Sequence, residues 1–346
     1  MATAYGKVLA IDRYSRAKSD GFAQNWQKGM SFERLKLLAS VAELYYVEGR
    51  GQAEIASRYG YSRSAISRLL AEARENRLVE IRINHPIQRD TELEYTLRDK
   101  FALDSVFVAQ RGNLSYERTL ALLGRIAAGY LEGVLNNDDI VSISWGTAVY
   151  ETVSALRPRR LRGTKVIQMI GGLGIGDSQI DGPGVAFRMA ASLGAQCYTL
   201  NAPLIAADRR TRDSLLSLRA VRDALALALM ADYALVGIGS IDQARASLLR
   251  SGYLNLAELE AIQVTGAVGD ICGTHFDAEG RILDIDVNSR VVGISLPELR
   301  SGPCKVVAVS GGKVKAPAIA GALEGKLIDI LVTDSNAAEE VLSLTS

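Results

Sequence analysis

Beyond residue 139, five short apolar runs that each end in glycine or a polar turn limit the fold of this 346-residue chain more than any other feature. They are 140–146 (IVSISWG), 165–172 (KVIQMIGG), 233–240 (YALVGIGS), 305–312 (KVVAVSGG) and 327–334 (LIDILVTD). A strand that is apolar at nearly every position is buried on both faces, as in a parallel sheet between two helical layers. Helical segments at 121–134, 214–230 and 316–323 supply those layers. The expected body is therefore a Rossmann-like α/β domain, and no repeat of about 20 to 50 residues is present.

The first 89 residues have another texture. They carry 15 Lys+Arg against 9 Asp+Glu, so the formal +1 of the whole chain hides a +6 head and a −5 body. The total excludes a uniformly basic nucleic-acid binder but not a basic reading head. From 32 to 48 the residues Leu35, Leu38, Val41, Ala42, Leu44 and Tyr45 recur at helical spacing before Gly49. A second helix opens at Gln52 and runs through Ile55 and Ala56 to Gly60. A third follows from Ser62, a good N-cap, through Ile66, Leu69, Leu70 and Ala73. Residues 78–83 alternate like a short exposed strand, and His85-Pro86 marks a boundary. Leu93, Leu97 and Phe101 then recur every four residues, as in a linker helix. The expected plan is a flexible arm at 1–30, a helix-turn-helix domain at 31–85, a linker helix at 86–103 and an effector and oligomerisation domain at 104–346.

Two helices crossing steeply over a short turn need a small residue at the contact, a glycine in the turn and apolar residues on the inner face of the second helix. Ala56, Gly60, Ile66 and Leu69 meet those needs. The outward residues of the third helix are Ser62, Arg63, Ser64, Ser67 and Arg68, and Gln52 opens the helix before it. Short hydroxyls and guanidinium groups bond base edges and phosphates in a major groove. The competing reading is a solvated face of a three-helix bundle; the complete turn pattern and the absence of acids on this face favour double-stranded DNA. Arg50, Arg74, Arg77 and Arg82 are candidates for phosphate or for water alone. A module this small pairs on two half-sites, which predicts a homo-oligomer on a pseudo-palindromic operator.

In open α/β sheets ligands sit at the carboxyl ends of strands, where glycine-rich turns leave amides free. The candidates here are Ser144, Trp145, Gly146, Thr147 and Ala148; Gly171 and Gly172; Gly237 to Ser240, including Gly239; and Ser310 to Lys313. Each glycine could also serve a plain tight turn, and Lys315 could be a solvated helix lysine. Together with Asp270 and Lys315 they form a polar pocket. A carboxylate for hydroxyls and an ammonium for phosphate suit a sugar phosphate. The scattered Cys197, Cys272 and Cys304 make neither a disulfide framework nor a metal knuckle, and His85 and His275 are not at metal-motif spacing, so no metal or cofactor is expected. No apolar run approaches a membrane span or a secretory signal, so a cytoplasmic protein is the default.

Several motifs, taken in order, closely resemble the SorC family of bacterial sugar-responsive transcriptional regulators. They are LYYVEG from Leu44, QAEIA from Gln52, SRLLAEA from Ser67, VEIRI from Val79, SWGT from Ser144, VGIGS from Val236, RSGY from Arg250, GAVGD from Gly266, SGGKVK from Ser310 and LVTD from Leu331. The resemblance spans residues 33–342. It implies a helix-turn-helix domain joined to an effector domain similar to sugar-phosphate isomerases and CoA transferases, assembled as dimers or tetramers, acting as repressor or activator. It also implies that Ser144 to Ala148, Asp270, Lys315 and Arg250 line the effector site. Ala148 stands where many relatives have a hydroxyl, which leaves a sugar, a polyol and a sugar phosphate all open as effector. The rival expectation is an isomerase- or transferase-like enzyme with a nucleic-acid anchor, but Asp270 has no identifiable acid–base partner. A third is a metabolite-binding module whose head only oligomerises.

Overall fold

The computed structural model describes residues 31–76, 78–79, 87–174 and 181–346. The chain divides into two compact units, Met1–His85 and Pro86–Ser346. The arm at 1–30 lies outside the described residues, as do most of the expected strand at 78–83, Arg77 and Arg82. Leu78 and Val79 themselves are in no strand.

In the first unit α1 (Phe32–Ala42) starts at Ser31, whose hydroxyl accepts the Arg34 N–H at 3.3 Å. The helix expected to run on to residue 48 changes character instead, closing with a π-helical turn at Glu43–Val47 that keeps Leu44 buried. Helix α2 (Gln52–Tyr59) ends at Gly60, whose φ of +70° is the left-handed conformation a side chain would resist. Helix α3 (Arg63–Glu75) is capped by Ser62, which accepts the Ala65 N–H at 3.2 Å. Leu38, Val41, Ile55, Ala56, Ile66, Leu69 and Ala73 form one core. Arg34 forks onto Glu72 at 3.1 and 2.5 Å and so ties α1 to α3.

In the second unit the elements run α4 (Thr91–Phe101), β1 (Ser105–Ala109), α5 (Tyr116–Val134), β2 (Ile140–Ile143), α6 (Thr147–Ala155), β3 (Lys165–Gln168), α7 (Gly182–Leu193), β4 (Gln196–Tyr198), α8 (Arg209–Ser217), α9 (Arg219–Ala228) and β5 (Tyr233–Ser240). They continue with α10 (Ser247–Arg250), α11 (Leu256–Val264), β6 (Gly269–Ile271), β7 (Thr274–Phe276), α12 (Asp286–Ser289), α13 (Leu296–Ser301), β8 (Lys305–Val309), α14 (Ala316–Glu324), β9 (Ile330–Asp334) and α15 (Ser335–Leu344). Seven strands pair in parallel in the order β1-β9-β8-β5-β2-β3-β4. Successive residues of β8 serve opposite faces: Val306 and Ala308 join one core with Leu97 and Ala337, Val307 and Val309 the other with Leu123 and Val149. That double burial is why the five apolar runs lack alternation.

The segment 214–230 is two helices rather than one. Ser217 turns its hydroxyl onto the Ser214 carbonyl at 2.7 Å, and Leu218 is extended (φ −60°, ψ 130°). Helix α8 buries nothing, whereas α9 buries Val221 and Ala228. A second departure is an antiparallel hairpin: β6 pairs with the carboxyl end of β5 and with β7, through a Cys272-Gly273 turn with φ of +56° and +75°.

The outer edge of β1 is covered by the chain that enters the unit. Arg89 bridges antiparallel to Ala109, the Asp90 N–H donates to the Val108 carbonyl at 2.8 Å, and the Gln110 N–H donates to that of Gln88 at 2.9 Å. Buried Glu94 accepts the Val108 N–H at 2.9 Å and holds Arg89 through two bonds of 2.6 Å. With Leu97 fully buried in the sheet's core, α4 is part of this unit's packing. Cys272 and Cys304 are buried and Cys197 is half-buried. Among the described residues no helix is long and apolar enough to cross a membrane, and no cluster of His, Cys, Asp and Glu is placed to hold a metal.

Candidate functional site

Two surfaces bring the predicted residues together. On the first unit Arg63, Ser64, Ser67 and Arg68 are exposed on α3, Ser62 is exposed at its cap, and Gln52 is half-buried at the start of α2. The Ser62 hydroxyl lies 2.9 Å from that of Ser64 and is engaged in capping. Arg50, by contrast, is tied to Glu48 at 3.6 Å and to Glu54 at 2.8 Å. The guanidinium groups of Arg63 and Arg68 have no ion pair or hydrogen bond with any described residue.

On the second unit the carboxyl ends of the adjacent strands β8, β5 and β2 open into a cavity. Strand β2 delivers Ser144, Trp145 and Gly146, and helix α6 begins at Thr147 and Ala148, with its amino-terminal amides at the cavity wall. Strand β5 contributes Gly237 to Gly239, β8 leads into Ser310, Gly311 and Lys315, and the β6–β7 hairpin inserts Asp270, Cys272 and Gly273. Sequence reasoning missed the hairpin turn, Ser247 and, from α5, Tyr116 and Leu120. Only contacts between distant segments bring those residues here, so local spacing carries no signal for them.

Two groups in the cavity are charged and nearly sealed. Asp270 is 9% exposed and accepts the Gly273 N–H at 3.2 Å. Lys315 is 8% exposed and donates to the Ile238 carbonyl at 2.9 Å. Burial pushes the Lys315 ammonium down to about 8; Asp270 opposes the shift, while Arg245 and Arg250 add to it. The Trp145 indole N–H is shielded from solvent and has no partner among the described residues, so it is a donor that a ligand oxygen could satisfy. Burial raises the pKa of the Cys272 thiol, which keeps it inert.

Three predicted positions stand apart. The amide of Gly171 donates to Val292 at 2.8 Å and that of Gly172 to Ala202 at 2.9 Å, so both are spent on backbone pairing and neither residue lines the cavity. Arg250 is exposed and does not line it, although its charge reaches Lys315.

The depressed value of Lys315 gives a pH signature. Above its ordinary 10.5 the amine is neutral folded or unfolded; as pH falls from 10.5 to about 8 only the unfolded chain gains the proton, and below 8 the whole penalty, roughly 3 kcal/mol, is felt. Lys315→Met should therefore gain stability relative to the parent at pH 7 and lose that advantage progressively between pH 8 and 10.5. Paired denaturant titrations across that range check it; a pH-independent difference would contradict the buried charge.

The model of the family described as "Putative sugar-binding domain" matches residues 85–343. The chain is 34% identical to the transcriptional regulator LsrR of Klebsiella pneumoniae, across 93% of this chain and 98% of that one. It is 29% identical to the deoxyribonucleoside regulator of Bacillus subtilis, across 91% and 99%. The crystal structure of the full-length sorbitol operon regulator SorC from Klebsiella pneumoniae superposes with a TM-score of 0.67 at 30% identity, covering 90% of this chain and 99% of that one. These relatives are regulators of transcription rather than enzymes, and they define the class: a transcriptional regulator with a sugar-binding α/β domain. The chain belongs to the SorC family.

Proposed function

We propose that the first unit reads a pseudo-palindromic operator through α3, and that a sugar, polyol or sugar phosphate bound at the strand-end cavity sets how tightly it does so. Arg63 and Arg68 reach bases or phosphates, with Ser64, Ser67 and Gln52 beside them. In the cavity Asp270 accepts from ligand hydroxyls, Lys315 and the α6 amides meet its most electron-rich end, and the Trp145 indole donates to one oxygen. The working species is a homodimer or homotetramer in the cytoplasm, because two half-sites demand two reading heads. Effector binding alters how the effector domains pair, hence half-site spacing. Coupling of this kind is typically ~1 to 3 kcal/mol and is reciprocal.

The observation that carries this reading is the union, in one chain, of a basic helix face unpaired among the described residues with a strand-end cavity that holds a buried carboxylate and a buried ammonium. The test has two stages. Sugars, polyols and their phosphates are screened for a rise in melting temperature, since a ligand of the folded state stabilises it by mass action. Operator affinity is then measured with and without the best ligand. An operator affinity unmoved by a ligand that binds would refute the coupling.

A further inference from the structure

The last strand of the sheet ends in a carboxylate sealed from solvent. Asp334, at the carboxyl end of β9, is fully buried. A charge taken out of water is costly unless its oxygens are bonded, and here each oxygen has an amide of its own. Oδ2 accepts the Gly312 N–H at 2.5 Å, and Oδ1 accepts the Ala337 N–H at 3.4 Å and so caps α15. The first bond reaches the wall of the cavity. Ser310 and Gly311 line it, and the Gly312 carbonyl accepts the Lys315 N–H at 2.9 Å, so the loop that Asp334 holds is the one that carries the buried ammonium. Gly311 fits there only without a side chain: an added Cβ would lie 2.4 Å from Oδ2 of Asp334 and 2.6 Å from Leu123. The second bond leads to α4. Helix α15 buries Ala337, Ala338 and Val341 in the core that holds Leu97 of α4, and the Lys100 ammonium of α4 donates to the Thr345 carbonyl at 2.5 Å.

A hydroxyl or a carboxamide has one oxygen to offer; a carboxylate accepts at both. We infer that Asp334 is a positioning residue of the strand-end site, which fixes the wall bearing Lys315 and ties that wall to the start of α15. The residue itself does not line the cavity. A loop that shifts as a ligand enters must either break the Gly312 bond or carry the carboxylate with it, and a carboxylate that moves withdraws the cap from α15. The value of this tie to an effector rests on the reading that the cavity holds one. Labelling and exchange need no ligand, so the two readings fail separately.

Two variants of the full chain separate the two bonds. Asp334→Ser keeps a cap for α15, as the Ser62 hydroxyl does for α3 by accepting the Ala65 N–H, but loses the Gly312 bond. Gly311→Ala leaves the carboxylate and its charge in the chain and pushes the loop off it. Lysines are acetylated with acetic anhydride and quantified by mass spectrometry, with the exposed Lys326 as internal standard. Relative to Lys326, Lys315 should be labelled about tenfold faster or more in either variant than in the parent, because a wall that opens exposes the amine. Amide hydrogen exchange at 335–338 should stay within about twofold of the parent in Asp334→Ser and rise about threefold or more in Gly311→Ala, where the displaced wall pulls on the cap. Far-UV dichroism checks folding, and if one variant does not fold, labelling of the other decides. The inference is overturned if Lys315 in a folded variant labels within about twofold of the parent, or if exchange at 335–338 is unmoved in Gly311→Ala. Equal loosening of the wall and of α15 in Asp334→Ser would also overturn it, leaving Asp334 as a helix cap alone.

Discussion

An operator selected from random duplexes by the wild-type protein should bind about a hundredfold or more weakly once Arg63 and Arg68 are both alanine. A guanidinium that contacts a base edge contributes ~1–3 kcal/mol of discrimination, and the two lie five residues apart on one exposed face of α3, where losses should add. If one of them meets phosphate instead, the slope of log affinity against log salt should flatten by about one for that contact. Neither side chain is paired with a described residue, so the melting temperature should hardly move. Filter binding or fluorescence anisotropy at several salt concentrations measures all three quantities. Retained affinity in the double variant would return α3 to the role of a solvated bundle face, with the head serving assembly alone.

Gly239→Ala should remove ligand-induced stabilisation. Gly239 is in register with Asp270 across the β5–β6 pair, and a Cβ there would lie 1.8 Å from the Asp270 carboxylate oxygen. The carboxylate has little room to yield, being nearly buried and tied to the Gly273 N–H, so the hairpin must move away from β5 and carry Asp270 with it. Overpacking of this kind costs ~1–3 kcal/mol. The expected melt is therefore lower than wild type and insensitive to the sugar that most stabilises the parent. Asp270→Asn, which keeps the shape and discards the charge, separates misplacement from loss of the acceptor. A Gly239→Ala protein with the full ligand-induced rise would show that Asp270 is not at the binding surface.

Much of this was legible in the residue order because it is enforced locally. Ser62 as a cap, Gly60 as a left-handed stop and the unbroken apolar character of β8 are each decided by a few neighbouring residues, and the structure has them where the pattern puts them. What escaped was decided at a distance. Glycine pairs look alike wherever they fall, so Gly171 and Gly172, whose amides bond to the segments at 292 and 202, could not be told from Gly237 and Gly239, which line the cavity. The three-residue strands β6 and β7 are too short to show a period, yet they bring Asp270 to the cavity. Tyr116 enters from the start of a helix whose apolar stripe says nothing about its first residue. The break at Leu218 was hidden because Leu215, Leu216, Arg219 and Ala220 around it favour helix and mask the single Ser217.

The cover on β1 restricts how such regulators can be recombined. Residues 88–90 are at once the road into the sensor and a selvedge along its outermost strand, satisfying amides that would otherwise invite a foreign strand. A graft that brings a new reading head to this sensor must therefore join upstream of Gln88, because a seam placed any later would unpick the hem of the sheet along with the old head.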